Sequence, residues 1–127
     1  MIVEDLSQVH NKDFFAIIIG SGPAGLATAL ELEKKNIYSI IIEAGSLKYN
    51  TKTTEFLRGD VIGDEYGEIS GSRLRQFGGS SGHWGGWCNP LNKKDFASWP
   101  IKKNDLDPYL NSAKEILSLK NDFFNEK

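Results

Sequence analysis

Residues 13–45 read DFFAIIIGSGPAGLATALELEKKNIYSIIIEAG, and the order of events along them decides the fold. Phe14 to Ile19 is a continuous apolar run rich in β-branched residues, the composition of a parallel strand covered on both faces. Gly20 to Gly25, GSGPAG, follows at once, and Ala24 to Lys35 then carries Leu26, Ala29, Leu30 and Glu33 at helical spacing. Asn36 is a C-terminal stop. Tyr38 to Ile42 is a second strand, and Glu43 stands at its carboxyl end. Strand, glycine turn, helix and strand make a βαβ unit.

Each residue of the turn has its own physical reason. Gly20 can leave the strand in a tight turn without the steric penalty of a Cβ. Gly22 lets the backbone approach a pyrophosphate, whose charge is met by unpaired N–H groups and by the positive end of the helix dipole. Gly25 lets the helix pack closely on the strand. Pro23 suits the first helical turn, where a missing N–H costs little. Glu43 is placed to accept hydrogen bonds from both hydroxyls of an adenosine ribose, and its charge repels a 2'-phosphate, which disfavours NADP. A solvated strand end is the plainer account of the same glutamate.

Composition narrows the classes. With 127 residues, 39% hydrophobic and 25% charged, the chain has the make-up of an ordinary globular domain. A net charge of −2 without a basic stripe excludes the electrostatic footprint of a nucleic-acid binder. Residues 1–12 read as a flexible N-terminus that lacks the apolar centre of a signal peptide, so a cytoplasmic protein with no transmembrane segment is expected. Cys88 is the single cysteine, which excludes an internal disulfide and speaks against a cysteine-based metal site. Only two runs read as buried strands, and two strands with one helix do not close a doubly wound sheet. The remaining strands and a substrate domain are therefore expected from further residues or from another chain.

A second glycine cluster follows a turn-rich polar stretch. Five of the thirteen glycines fall in GGSSGHWGGW, Gly78 to Trp87, among Ser80, Ser81, His83 and two tryptophans. Such a backbone is suited to approach something flat or charged very closely, although a glycine-rich surface turn with tryptophans dipping into a core has a similar look. Arg73 and Arg75, just upstream, are either solvated charges or bidentate partners of a phosphate or carbonyl, with Arg75 the better placed for the second role. Cys88 reads as packing, since no base neighbours it. Further on, Asn104 is positioned to cap a helix over residues 104–118 with Asp107 completing a partial capping box. Its stripe of Leu106, Tyr109, Leu110, Ala113, Ile116 and Leu117 is the pattern of a buried face.

Taken together, GSGPAG, the glutamate before Ala44 and Gly45, GGSSGHWGG, and WPI followed by DLDPYL are similar to the amino-terminal part of the glucose-methanol-choline family of flavin oxidoreductases. The likeness is greatest to the pyranose-oxidase and sugar-dehydrogenase branch, whose second motif contains a His-Trp pair, and it spans about residues 13 to 118. It implies an incomplete Rossmann-like α/β domain, with the βαβ unit at 13–45, a flavin-contacting loop region at 46–100 and the C-terminal helix. It also implies FAD held at Gly20, Ser21, Gly22, Pro23, Ala24 and Gly25, with Glu43 and Ala44 at the adenosine ribose. Arg75, Gly78, Gly79, Ser80, Ser81, His83 and Trp84 would lie on the flavin side, and His83 occupies the place where some relatives link the flavin covalently. The implied activity is oxidation of an alcohol or sugar CH–OH group by hydride transfer to FAD, with the catalytic base outside this chain. Two other readings stay open: a truncated, non-catalytic chain that binds nucleotide weakly or not at all, and an NAD-binding module, which Glu43 would serve equally well.

Overall fold

The computed structural model describes residues 2–9, 13–83 and 85–119. The chain divides into two compact units, Met1–Trp84 and Gly85–Lys127, and each is considered by itself. The first contains a parallel pair of strands joined through a helix: β1 (Ala16–Ile19), α1 (Pro23–Lys34) and β2 (Ser39–Ile42). Ala16 pairs with Ser39 and Ile19 with Ile42, so the β-branched run and the SIII run lie in register. The fold is a small mixed α/β one with a two-stranded parallel sheet.

The ends of α1 follow from local chemistry. Gly20 leaves β1 at φ +93°, a left-handed conformation that favours glycine, and its N–H donates to the Ile42 carbonyl at 2.8 Å. Pro23 takes the first helical turn. At the other end Asn36 adopts φ 56°, its N–H donates to the Glu33 carbonyl at 2.8 Å, and the Ile37 N–H donates to the Leu32 carbonyl at 2.9 Å. This pair of bonds satisfies carbonyls that the last helical turn leaves orphaned, with Asn tolerating the left-handed position.

Helix α1 covers one face of the sheet. A Cβ at Gly25 would stand 3.3 Å from the Ile18 side chain, which places Ile18 and its partner Ile41 on the helix side. The opposite face is bare: Ile19 is 88% exposed, Phe15 81% and Ile17 65%. The expectation of strands covered on both faces is thus corrected. One helix can shield only one side of a two-stranded sheet, and no apolar side chain among the described residues is buried.

Beyond β2 the first unit relies on short capped turns. Asn50 Oδ1 accepts from the Lys52 N–H at 2.9 Å and so starts α2 (Thr51–Thr54). The buried Thr54 hydroxyl donates back to the Asn50 carbonyl at 3.0 Å. After α3 (Ile69–Ser72) the chain returns to β2's exit, where Ser46 and Gln76 form a parallel bridge and the Phe77 N–H donates to the Ser46 carbonyl at 3.0 Å.

In the second unit, α4 (Lys103–Leu106) and α5 (Leu110–Ile116) are separated by a 3-10 turn at Asp107–Tyr109. Pro108, which has no N–H to donate, lies in that interruption. The cap also differs from the expected Asn104 and Asp107 pair. Asp105 accepts from the Lys102 N–H at 2.8 Å, so the helix opens earlier, and Asp107 instead faces Lys103 at 3.1 Å. The stripe expected to be buried is open: Tyr109 is 67% exposed, and α4 and α5 hold no buried residue. An aromatic edge-to-face contact, Phe96 on Trp99 with centroids 5.8 Å apart, follows the Asn92 and Asp95 cap of the preceding turn.

Candidate functional site: the junction of the two glycine loops

Three separated pieces of sequence converge on Ser21. Its side chain is fully buried, and its hydroxyl donates to Glu43 Oε2 at 2.6 Å while its own N–H donates to the same oxygen at 2.9 Å. The Gly78 N–H donates to Ser21 Oγ at 3.0 Å. Glu43 Oε1 accepts from the Gly45 N–H at 2.7 Å, which turns the chain sharply after β2. The first glycine loop, the acid and the second glycine loop are therefore tied through one hydroxyl.

Sterics explain several of the glycines. A Cβ at Gly25 would lie 2.1 Å from the Gly20 carbonyl oxygen, and one at Gly45 would lie 2.2 Å from the Arg75 carbonyl oxygen. Neither position admits a side chain without moving backbone. Gly78 and Gly79 both hold left-handed conformations, at φ +84° and +61°, and a Cβ on Gly79 would already touch the Gly22 Cα at 3.4 Å. Gly22 is different. Its φ of −66° suits any residue, and a Cβ there would meet no atom of the described residues outside its own chain neighbours within 4 Å. The packing of the described residues gives no reason for glycine at this position.

The electrostatics centre on Glu43. Partial burial works against its charge, but the Ser21 hydroxyl, the Ser21 N–H and the Gly45 and Ala44 N–H groups outweigh this and hold the carboxyl below its ordinary value. An ionised carboxylate has about four acceptor positions, and three are taken by Ser21 and Gly45. At the start of α1 no side chain among the described residues caps the helix, and the first-turn N–H groups of Ala24 and Gly25, beside Gly22, have no intrahelical acceptor.

The other expected site residues are less closely gathered. Ser81 Oγ donates to its own loop's Gly78 carbonyl at 2.5 Å, and Ser80 Oγ accepts from the Leu74 N–H at 3.1 Å, so both hydroxyls brace the loop. The Arg75 guanidinium lies 4.5 Å over the Phe56 ring, a cation–π contact. Arg73 is exposed. His83 is exposed at the end of the 3-10 turn Gly79–His83, and Trp84 lies outside the described residues. Two surface depressions lie elsewhere, one along α1 at Ala27, Thr28, Glu31, Leu32 and Lys35, the other beside Asn111 and Leu119. Both are shallow and carry none of the glycine-loop chemistry.

Sequence reading missed the bridging hydroxyl of Ser21, the steric demand at Gly45 and the Phe56 ring beneath Arg75. A signal for Gly45 was present, since a glycine two residues after the acid permits the return of its N–H to the carboxylate. Comparison with protein-family models, with curated proteins and with solved structures finds no match. No helix among the described residues is long and apolar enough to cross a membrane.

Proposed function

We propose that this chain is the FAD-binding portion of a flavin-dependent oxidoreductase that oxidises CH–OH groups of an alcohol or sugar by hydride transfer to FAD, on a Rossmann-like βαβ unit. The convergence of both glycine loops and Glu43 on Ser21 carries the reading, because these are the residues such a cofactor would need side by side. Gly22 supports it. Among the described residues nothing packs against Gly22 so closely as to demand glycine, whereas a pyrophosphate drawing close to the α1 amide groups would.

In this reading Gly20, Ser21, Gly22, Pro23, Ala24 and Gly25 surround the pyrophosphate, and Glu43 with Ala44 meets the adenosine ribose. Gly78, Gly79, Ser80, Ser81 and Arg75 line the flavin side, and exposed His83 is the residue for a covalent link. The flavin, when bound, supplies the hydride acceptor; the residues of the chain bind it, orient it and keep the loops from collapsing. No catalytic base is assigned among these residues.

A protein that holds nucleotide weakly or not at all is favoured by one observation, the lack of any buried apolar side chain among the described residues. An NAD-binding module would use Glu43 in the same way. The absorption spectrum of purified protein, mixed with FAD and freed of excess by gel filtration, separates these readings. Bound-flavin bands are expected, and a colourless protein would overturn the proposal. Gly22→Asp places a carboxylate toward the pyrophosphate and should weaken FAD binding by about a hundredfold or more with stability little changed; full retention in that variant would contradict the role given to the first loop. Mass measurement after denaturation tests His83, since flavin that separates completely from the protein excludes a covalent link.

A further inference from the structure

We infer that Ser21 is a positioning residue: its hydroxyl suspends the second glycine loop from the acid that ends β2, so that the two loops facing the cofactor keep one fixed relation. The role in cofactor binding rests on the FAD reading; the tether itself does not.

Proton inventory fixes the direction of the chain of bonds. A backbone N–H can only donate, so Gly78 donates to Ser21 Oγ. An ionised Glu43 can only accept, so the single hydroxyl proton of Ser21 goes to Oε2. The sequence N–H to O–H to carboxylate is the arrangement in which successive hydrogen bonds polarise and strengthen one another, and it lies at a fully buried side chain. A small residue without a hydroxyl would satisfy the sterics of the turn between Gly20 and Gly22. Only the hydroxyl reaches the second loop.

The second loop needs such a hold. Gly78 and Gly79 occupy successive left-handed conformations, and Gly79 stands against the Gly22 Cα without any apolar burial to keep it there. Two further bonds tie its approach, from the Phe77 N–H to the Ser46 carbonyl at 3.0 Å and from the Gly79 N–H to the Gln76 carbonyl at 2.8 Å. Neither reaches the first glycine loop. Removing the Ser21 hydroxyl should thus free the loop tip while leaving the Ser46 and Gln76 bridge and the βαβ unit in place.

The test uses the full chain as wild type, Ser21→Ala and Ser21→Cys, the last keeping a donor and acceptor of similar shape, slightly larger, while weakening both bonds. Nitrogen-15 NMR with amide hydrogen exchange reads Gly78 without ligand, and fluorescence quenching reads binding of FAD. Ser21→Ala should raise Gly78 exchange about tenfold or more with α1 amides unchanged, and should weaken FAD binding by roughly tenfold, the loss expected of one charge-assisted hydrogen bond. Ser21→Cys should fall between. Wild-type exchange at Gly78 in Ser21→Ala, or in Ser21→Cys where the alanine variant does not fold, overturns the tether. A freed Gly78 with undiminished FAD affinity overturns the positioning role. A wild type that binds no FAD removes the cofactor reading and the positioning role with it, and a Gly78 amide still released by Ser21→Ala would then show the tether standing alone.

Discussion

The Ser21 junction and the outer face of the β1 and β2 sheet belong to the same unit and are opposites. At the junction a fully buried polar side chain has a partner for each of its polar groups, and among the described residues no buried side-chain nitrogen or oxygen lacks one. On the sheet face, Phe15, Ile17 and Ile19 present apolar surface to solvent. The difference teaches that the polar loops are held by short-range hydrogen bonds that the chain supplies itself. Hydrophobic burial, the dominant favourable term in most folded domains, is not realised on the face that β1 and β2 turn away from α1.

The strongest way to break the comparison is Gly25→Ala. Its Cβ would lie 2.1 Å from the Gly20 carbonyl oxygen, and backbone atoms on both sides must move to make room. Urea unfolding should show a loss of about 2–3 kcal/mol. A variant within 1 kcal/mol of wild type on that scale would mean that α1 does not sit this close to β1.

Next in size is Glu43→Gln. An amide presents one acceptor oxygen and one donor nitrogen, so whichever way it turns, either the Ser21 pair or the Gly45 N–H faces a donor. The expected cost is about 1–2 kcal/mol at neutral pH. Because the folded-state pKa of Glu43 lies below its ordinary value, its charged form stabilises the fold above the ordinary carboxylate range, and this contribution is lost as pH falls through the folded value. Partial solvent screening keeps the effect small. Stability measured from neutral pH into the acid range should fall less steeply in Glu43→Gln than in wild type. Asp5, exposed and lowered by its bonds from Ser7, adds the same sense of dependence to both proteins. Parallel profiles would disprove the network around Glu43.

The smallest effect is expected on the other side of the comparison. Ile19→Thr removes an apolar side chain that is 88% exposed and keeps the β-branch suited to a strand, so stability should stay within about 0.5 kcal/mol of wild type while solubility rises. A loss above about 2 kcal/mol would indicate that this face is covered in solution.

Much of the βαβ order was legible because its signals are local. A β-branched run, a proline at the first helical turn, an asparagine at the helix stop and a second β-branched run act through propensity and backbone sterics over a few residues. Burial was less legible. The apolar stripe from Leu106 to Leu117 has helical spacing, but spacing cannot supply the surface that covers it, and Pro108 breaks the helix that the stripe suggests. At the site, both glycine loops and Glu43 were singled out by pattern. Their physical relation was not, because the contact from Gly78 to Ser21 spans 57 residues and depends on a hydroxyl direction that no spacing rule encodes.

The sequence by itself determined the two parallel strands, the helix between them and the glycine turn at Gly20, because those follow from backbone conformation and local capping. Only the tertiary structure decided that Glu43 braces its own loops through Ser21 and Gly45, and that the strands lie open on one face. Hydrogen-bond partnership and burial are properties of the neighbours that folding brings together.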